Sequence, residues 1–458
     1  MNNPRLSLQI PPNMWQPIRQ AMLANSIDNE ETIGFLFCHR VTISPERTRY
    51  IPKAWVVPTR DCYELQSASG LILNQEFHQY LLENFLDNRQ FDVVHIHTHA
   101  DTDVPAFSAV DDRAESEYAQ FLSNRSNNRS RLISGVFDES LERGQFRIWN
   151  SQGTDFQAIN CHRSWLEFDE IPASKVPADP MFARQQVFGK GCQQKLDRLT
   201  VALIGCGGIG AVFAETLGRL GVKNWILVDP DRLEASNLNR MPSATPAMVE
   251  DGWLKVHYVK HLLDRIYSTG ANVVTIPDSI SIDTPEIATA DIIVVATDNH
   301  SSRQIAQEIA LKYQRPIVCL GTHIEVATDG NPRLYARITV PPLGGGWCLM
   351  CGNIINLHRA ALETAPTPIP FQGGFCQGKG FANANERLGS GYIEGIADPA
   401  VFWLNGLCAS MGAGVIHGLV GGFMNVDDGL DWIFDCANGN WLKTDVHSLI
   451  HPDCYFCH

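Results

Sequence analysis

The chain has 458 residues and is short of positive charge: Lys and Arg number 36 against 50 Asp and Glu, a net charge of −14. That deficit excludes general binding to nucleic acid or to an anionic membrane, both of which need a basic surface. It leaves room for a local basic pocket around a nucleotide. No run approaches the roughly 18 apolar residues that a spanning helix needs. Residues 1–15 lack the basic and then apolar stretches of a signal peptide. A soluble cytoplasmic protein without a membrane partner is therefore expected. There is no repeat at a fixed period and no low-complexity tract. What is present, 44% hydrophobic and 19% charged residues, suffices for sizeable cores in two to four domains of about 100–200 residues each. Thirteen cysteines, an odd number, suggest metal ligands and a working thiol in a reducing compartment, not a disulfide framework.

The pattern divides in two. Through residue 160 it mixes strands, at Glu31–Phe37, Tyr50–Val57, Phe91–His97 and Arg131–Phe137, with a helix predicted over Gln75–Phe85 from its apolar spacing. Without strict alternation, this predicts an α+β domain at 1–160. A connector at 161–185 carries Pro172, Pro177 and Pro180. From 186 to 458 the pattern becomes α/β. Thr200–Ile204 reads as a strand, Gly205–Gly210 as a turn, Ala211–Leu220 as a helix, and Asn224–Asp229 and Asp291–Thr297 as further strands. Continuous apolar runs of this kind suit strands covered on both faces in a doubly wound, Rossmann-like parallel sheet.

Gly205, Gly207 and Gly210 fit G-x-G-x-x-G between a strand and a helix, with Gly208 beside them. Glycines let a backbone approach phosphate, and the helix start offers free N–H groups. Asp229, 24 residues after Gly205, is placed for ribose hydroxyls. These two features alone fit a dinucleotide-dependent oxidoreductase equally well. Asp231, Asn237, Arg240, Lys255 and Asp298 add two cations, an amide and further carboxylates. Arg and Lys suit a triphosphate, and Asp298 suits magnesium through oxygen.

Running from Arg184, in Phe182-Ala183-Arg184-Gln185, through the glycine turn to Ala296-Thr297-Asp298-Asn299, this constellation resembles the ThiF/MoeB/ubiquitin-activating-enzyme superfamily. The resemblance implies binding of ATP and Mg2+ and adenylation of the C-terminal carboxylate of a ubiquitin-like protein. It assigns Asp229 to the ribose, Asn237, Arg240 and Lys255 to the phosphates, and Asp298 to the metal. Arg184 matches an arginine donated across a homodimer. The spacing from Arg240 to Lys255 is a couple of residues long, which makes Lys260 an alternate; otherwise Lys260 is a solvated helix residue.

Two C-x-x-C pairs, Cys348/Cys351 and Cys454/Cys457, supply four thiolates, a set that suits closed tetrahedral zinc. The same double pair occurs at matching places in the adenylating family. Family members that form a thioester or persulfide carry the cysteine after the first pair, which points to Cys376. Cys408 reads as core and Cys206 as a small turn residue.

In the first half, His95, His97 and His99 alternate along a strand and share a face. Ser108 and Asp111 follow at i and i+3. Two imidazoles and a carboxylate leave a fourth zinc position for water, the pattern of a catalytic site. Glu31, with Glu30 as its neighbour, is the candidate base. This half resembles the JAB/MPN (JAMM) metalloproteases. By that resemblance His97, His99 and Asp111 hold Zn2+, Glu31 is the general base and Ser108 stabilises the oxyanion, while His95 stands outside the motif. Eight residues, one more than usual, separate His99 from Ser108, and Ala100 replaces a common proline.

Together the resemblances imply a bifunctional activating enzyme and isopeptidase for one ubiquitin-like protein. The implied setting is a bacterial-type conjugation pathway, some of which are tied to phage defence, with a conjugating-enzyme-like partner. The alternatives are sulfur-carrier activation for cofactor or amino-acid synthesis, and a scaffold whose peptidase half only binds the partner.

Overall fold

The computed structural model describes residues 5–87, 91–100, 104–168, 179–326, 330–364 and 399–457. The chain forms two compact units that divide between Glu167 and Phe168. Residues 161–167, expected in the connector, belong to the first: Gln9 Nε2 donates to the carbonyls of Ser164 and Trp165, and Arg49 pairs with buried Glu167. Pro172 and Pro177 lie outside the described residues.

The first unit is built on an eight-stranded mixed sheet. From edge to edge its strands are Asn160–His162, Arg5–Gln9, Arg47–Val56, Ile33–Ser44, Asp92–His99, Leu132–Asp138, Gly144–Trp149 and Phe156–Ala158. Side-chain alternation sorts its two faces. Leu36, Cys38, Val94 and Ile96 join Trp15, Ile18 and Met22 of the helix Pro12–Asn25 in one core. Ile33, Phe35, Phe37 and Val93 face Phe77, Ala119 and Leu122 in the other. His95, His97 and His99 share the face of Val93, toward the helix Ala109–Arg125. The helix predicted over Gln75–Phe85 is an α-helix only to Leu81; Leu82–Leu86 widens into a π turn.

The second unit holds an eight-stranded sheet in the order Asn272–Ile276, Asn224–Val228, Thr200–Ile204, Ile292–Val295, Ile317–Val326, Pro332–Val340, Leu430–Asp435 and Asn440–Lys443. The first five are parallel. They include the three strands read from the sequence; the last three pairings are antiparallel and extend that parallel sheet. Only five residues separate Ile317–Val326 from Pro332–Val340, too few for the crossover a parallel partner requires. The strand order reverses between Thr200–Ile204 and Ile292–Val295, and crevices at such points receive ligands. The helices Gly208–Leu220, Lys255–Asp264 and Phe402–Gly421 pack on one side. Ala306, Ile309 and Ala310 of the helix His300–Tyr313 fill the core on the other.

Phe402–Gly421 also corrects the reading of apolar runs. It is 20 residues long with a mean hydropathy of 1.3, long and apolar enough to cross a membrane by length and composition. Asn405, Ser410 and His417 interrupt the run by eye, and 61% of the window is buried inside the unit. It also contacts the helix Gly208–Leu220 and two strands, the surroundings of a core helix.

Candidate functional site

In the second unit the glycine turn is shaped by contacts that exclude larger residues. Gly205 has φ +95°, and a Cβ there would stand 2.8 Å from the Ala296 carbonyl oxygen; at Gly210 it would stand 1.9 Å from the carbonyl oxygen of Gly205. The turn therefore lies tight against the end of Ile292–Val295, which carries Asp298. Gly207 faces open space, and the helix that begins at Gly208 has no side-chain cap. Its first N–H groups, with the positive end of the helix dipole, remain available to an anion.

Asp229 is buried and organises the crevice. Its Oδ2 accepts from the Cys206 N–H at 2.7 Å and its Oδ1 from the Asp231 N–H at 2.9 Å. Burial pushes its pKa up, partly offset by Lys255. Asp231 accepts from Lys255 Nζ at 2.7 Å, and Lys255 N–H donates to the Asp231 carbonyl at 2.9 Å. Asn237 is buried, its Oδ1 accepting from the Glu234 N–H at 3.1 Å. Arg240 donates to the Ser236 carbonyl and to Asn239 Oδ1, and its Cγ lies 3.2 Å from where a Gly208 Cβ would be. Asp298 is exposed. Arg184 is exposed in the turn Pro180–Phe188. Lys260 pairs with Asp264 one helical turn away, as a solvated helix residue does. Cys376 lies outside the described residues. Cys206 is buried, and burial raises its pKa well above the usual thiol range, which suits a turn residue and not a nucleophile. Sequence reasoning missed Asn405, whose Nδ2 stands 2.5 Å from a Gly208 Cβ and whose Oδ1 accepts from Thr322 Oγ1 at 3.2 Å. Its signal was an amide in an otherwise apolar helix.

The four paired cysteines meet. Sγ separations are 3.7 Å for Cys348–Cys351, 3.6 Å for Cys348–Cys454 and 3.6 Å for Cys351–Cys457. Disulfide sulfurs stand at about 2.05 Å, whereas thiolates at about 2.3 Å around one tetrahedral zinc stand about 3.8 Å apart. The spacing fits zinc. The Cys457 thiol donates to Cys348 and holds it down to about 5, while burial pushes Cys351 up to about 11.

In the first unit, Thr32 N–H donates to Thr98 Oγ1 at 2.9 Å and Thr98 N–H to the Thr32 carbonyl at 3.0 Å, which sets Glu31 beside the histidine strand. His97 Nε2 lies 3.4 Å from Asp111 Oδ1, and His99 Nε2 lies 3.4 Å from Asp111 Oδ2. Donors at about 2.0–2.1 Å from one tetrahedral zinc lie about 3.4 Å apart. His97 Nε2 is buried without a hydrogen-bond partner among the described residues, so this donor set fits a metal ion. Burial opposes ionisation of Asp111, but the two imidazoles that face it hold it far below the usual carboxylate range. Burial lowers the pKa of His97; the bond to Asp111 raises that of His99. Burial pushes Glu31 up to about 7, with His99 opposing and Asp111 assisting.

Ser108 caps the helix Ala109–Arg125. Its Oγ accepts from the Asp111 N–H at 3.2 Å, and its own N–H donates to Asp111 Oδ2 at 2.6 Å. This capping box aims Asp111 at the imidazoles. His95 turns instead to Glu115, at 3.3 Å. Glu115, not foreseen, is buried and accepts from Arg147 Nε at 2.8 Å and Trp149 Nε1 at 2.9 Å. Its spacing from Asp111 (i, i+4) is the only sequence signal. Glu30 pairs with Arg60 at 2.7 Å.

The profile of the ThiF family matches residues 182–427, all in the second unit. Among curated proteins, the chain is 31% identical over 183 residues to the sulfur carrier protein ThiS adenylyltransferase of Bacillus subtilis, covering 38% of this chain and 54% of that one. It is 27% identical over 197 residues to the adenylyltransferase and sulfurtransferase MOCS3 of Bos taurus, covering 40% of each. The chain thus spans about half or less of the length of these relatives. Among solved structures, E. coli MccB with ATP aligns with a TM-score of 0.45 and 19% identity, over 61% of this chain and 75% of that one.

Proposed function

Because this chain belongs to the ThiF family, we propose that its second unit activates a carboxylate with ATP, forming an acyl-adenylate and releasing pyrophosphate. The observation that carries this reading is the uncapped helix start behind the glycine turn, with Asp229, Arg240 and Lys255 grouped around it. In the reaction a carboxylate oxygen attacks the α-phosphorus, the bond to the bridging oxygen toward the β-phosphate breaks, and pyrophosphate leaves. Asp229 orients the ribose with the lone pairs left over from its two backbone bonds. Asn237, Arg240 and Lys255 bind the phosphates, Lys255 exchanging Asp231 for them, and stabilise charge with preset dipoles. Magnesium held at Asp298 would supply further neutralisation of the phosphate charge.

The acyl substrate is the C-terminal tail of a small protein. A ubiquitin-like protein and a sulfur carrier have about equal support, the latter because a ThiS adenylyltransferase and MOCS3 are among the relatives. Conjugation would use Cys376 for a thioester and a conjugating-enzyme-like partner, and a homodimer would bring Arg184 to the neighbouring crevice. We also propose that the first unit is a JAB/MPN-type hydrolase that cuts the amide after the same tail. Zinc, held by His97, His99 and Asp111, would there supply a Lewis acid that makes water nucleophilic near neutral pH. Glu31 takes and returns the proton, and Ser108 donates toward the oxyanion. Cys348, Cys351, Cys454 and Cys457 would hold a second zinc, which would tie residues 348–351 to 454–457.

ATP–pyrophosphate exchange that requires a carrier tail and vanishes in Asp298→Ala tests the adenylation. Binding of NAD without ATP would point instead to an oxidoreductase. A thioester on Cys376 followed by lysine conjugation selects the ubiquitin-like carrier, and its replacement by persulfide chemistry selects the sulfur carrier. Zinc content and amide cleavage, compared between wild type and Glu31→Gln, test the hydrolase against a binding-only scaffold.

A further inference from the structure

One strand beyond the crevice, the sheet of the second unit carries a small, partly open pocket of about 50 Å3 that the proposed roles leave unused. Its floor consists of three cross-strand pairs on one sheet face: Cys319 opposite Thr339, Gly321 opposite Arg337, and His323 opposite Tyr335. His300 and Arg303 stand in its wall. At Gly321 nothing lies within 4 Å of the place a Cβ would take, so the floor is open there.

Most polar groups around it are already engaged. Arg337 is held by Asp431 at 2.8 and 2.9 Å and donates to the Gly352 carbonyl at 2.7 Å. His300 Nδ1 accepts from the Asn356 N–H at 3.2 Å. Arg303 donates to the carbonyls of Thr297, at 3.2 and 2.8 Å, and of Ile354, at 3.4 Å. Those bonds fix the guanidinium without neutralising it. His323 differs. It is 9% exposed, and its Nε2 is buried with no hydrogen-bond partner among the described residues. Glu325 Oε2, at 3.6 Å, is too far to serve as one. A buried polar nitrogen left unpaired is destabilising, so its retention beside an open floor points to a ligand atom.

The pocket is joined to the adenylation crevice by side chains. Arg303 grips the carbonyl of Thr297, the neighbour of Asp298. Thr322, between Gly321 and His323, donates to Asn405, whose amide stands over Gly208. We infer that this pocket receives a carboxylate or carboxamide side chain from one of the last two residues of the acyl substrate, with His323 Nε2 donating to it and Arg303 supplying positive charge. This rests on the acyl-adenylating reading above and adds a sequence preference to it. The tail selected is not the smallest one, since a pair of terminal glycines would leave His323 unpaired.

The test measures ATP–pyrophosphate exchange by the full chain with synthetic peptides that have free carboxyl ends, varied at the last two positions among Gly, Ala, Leu, Asp and Asn. Peptides carrying Asp or Asn are expected to give kcat/KM about tenfold or more above the Gly-Gly peptide, the loss expected when one polar partner goes unpaired. His323→Ala should flatten that ranking while KM for ATP stays unchanged, and His323→Gln, which keeps a donor, should retain part of it. The wild-type ranking decides the matter even where a variant folds poorly: a preference for Gly-Gly, Ala or Leu overturns the inference. A ranking that survives in His323→Ala overturns it as well. If no peptide stimulates exchange, acyl adenylation itself fails and the pocket assignment falls with it.

Discussion

The two units handle unpaired charge in opposite ways. In the nucleotide crevice the cations are already occupied: Lys255 bonds Asp231, and Arg240 bonds a backbone carbonyl and Asn239. In the first unit His97 Nε2 is buried with no hydrogen-bond partner among the described residues, and Asp111 stands 3.4 Å from each of two imidazoles. A site for a solvated polyanion can rest with exchangeable internal pairs, because long flexible side chains move from one anion to another at little cost. The proposed metal site cannot rest this way, because His97, His99 and Asp111 are short side chains on a strand and a helix start with nowhere else to turn. The crevice is therefore tuned by exchange of partners, and the histidine cluster by rigid preorganisation.

The largest test of this contrast concerns the crevice backbone. Gly210→Ala puts a methyl 1.9 Å from the Gly205 carbonyl oxygen, and a loss of about 3 kcal/mol or more is expected from overpacking against backbone that cannot relax. Thermal unfolding of the full chain reads it, along with loss of ATP binding. Gly207→Ala meets open space and should cost about 1 kcal/mol or less in stability. It should nevertheless weaken ATP binding, because the methyl occupies the approach to the helix start. Equal destabilisation by the two substitutions would show that the turn is not shaped by phosphate access.

Next comes the rigid site. Glu31→Gln should lower amide hydrolysis by about 10²–10⁴, the usual contribution of a positioned base, with zinc content unchanged. His97→Ala should remove the metal from the first unit and leave ATP–pyrophosphate exchange intact. If Glu31→Gln instead releases zinc, the carboxylate belongs to the ligand set and the comparison between the units must be redrawn. A smaller effect is expected in the crevice from Lys255→Ala, which removes one of several phosphate contacts and frees Asp231. Its signature is a rise of about tenfold to a hundredfold in KM for ATP, the scale of one charge-assisted bond. Lys260→Ala should leave KM for ATP unchanged, because Lys260 pairs within its own helix.

How much of this could be read beforehand depended on the kind of constraint. The glycine turn was legible because only glycine tolerates φ +95° at Gly205 and the approach of backbone at Gly210. The clustering of the paired cysteines and of His97 and His99 with Asp111 was legible because spacing along a strand or knuckle is local. The antiparallel half of the second sheet was hidden, since apolar runs of β-branched residues look alike in either direction. Asn405, Glu115 and His323 were hidden for another reason. Asn405 meets Gly208 across nearly two hundred positions, Glu115 meets Arg147 and Trp149 across more than thirty, and His323 is marked only by a buried nitrogen with no hydrogen-bond partner among the described residues; one chain gives no local pattern for any of these. The helix Phe402–Gly421 was legible around Cys408, which reads as core, but not in its full length, because three polar residues broke its run without breaking its burial.

The smallest expected effect concerns Ser108, where a structural and a chemical role coincide. Its Oγ already accepts from the Asp111 N–H, and a hydroxyl that accepts one bond still has its hydrogen to give. Ser108→Ala removes a helix cap and should cost about 1 kcal/mol in stability. Loosening the capping box should also weaken zinc retention modestly, since Ser108 N–H and Oγ both fix the turn that carries Asp111. Ser108→Asp, an equally good cap, should restore both. The oxyanion role predicts something that capping does not: kcat falls in both variants when each is saturated with zinc, with KM unchanged. If Ser108→Asp recovers kcat together with stability, the serine serves only to hold Asp111, and the rigid site owes its order to a helix cap.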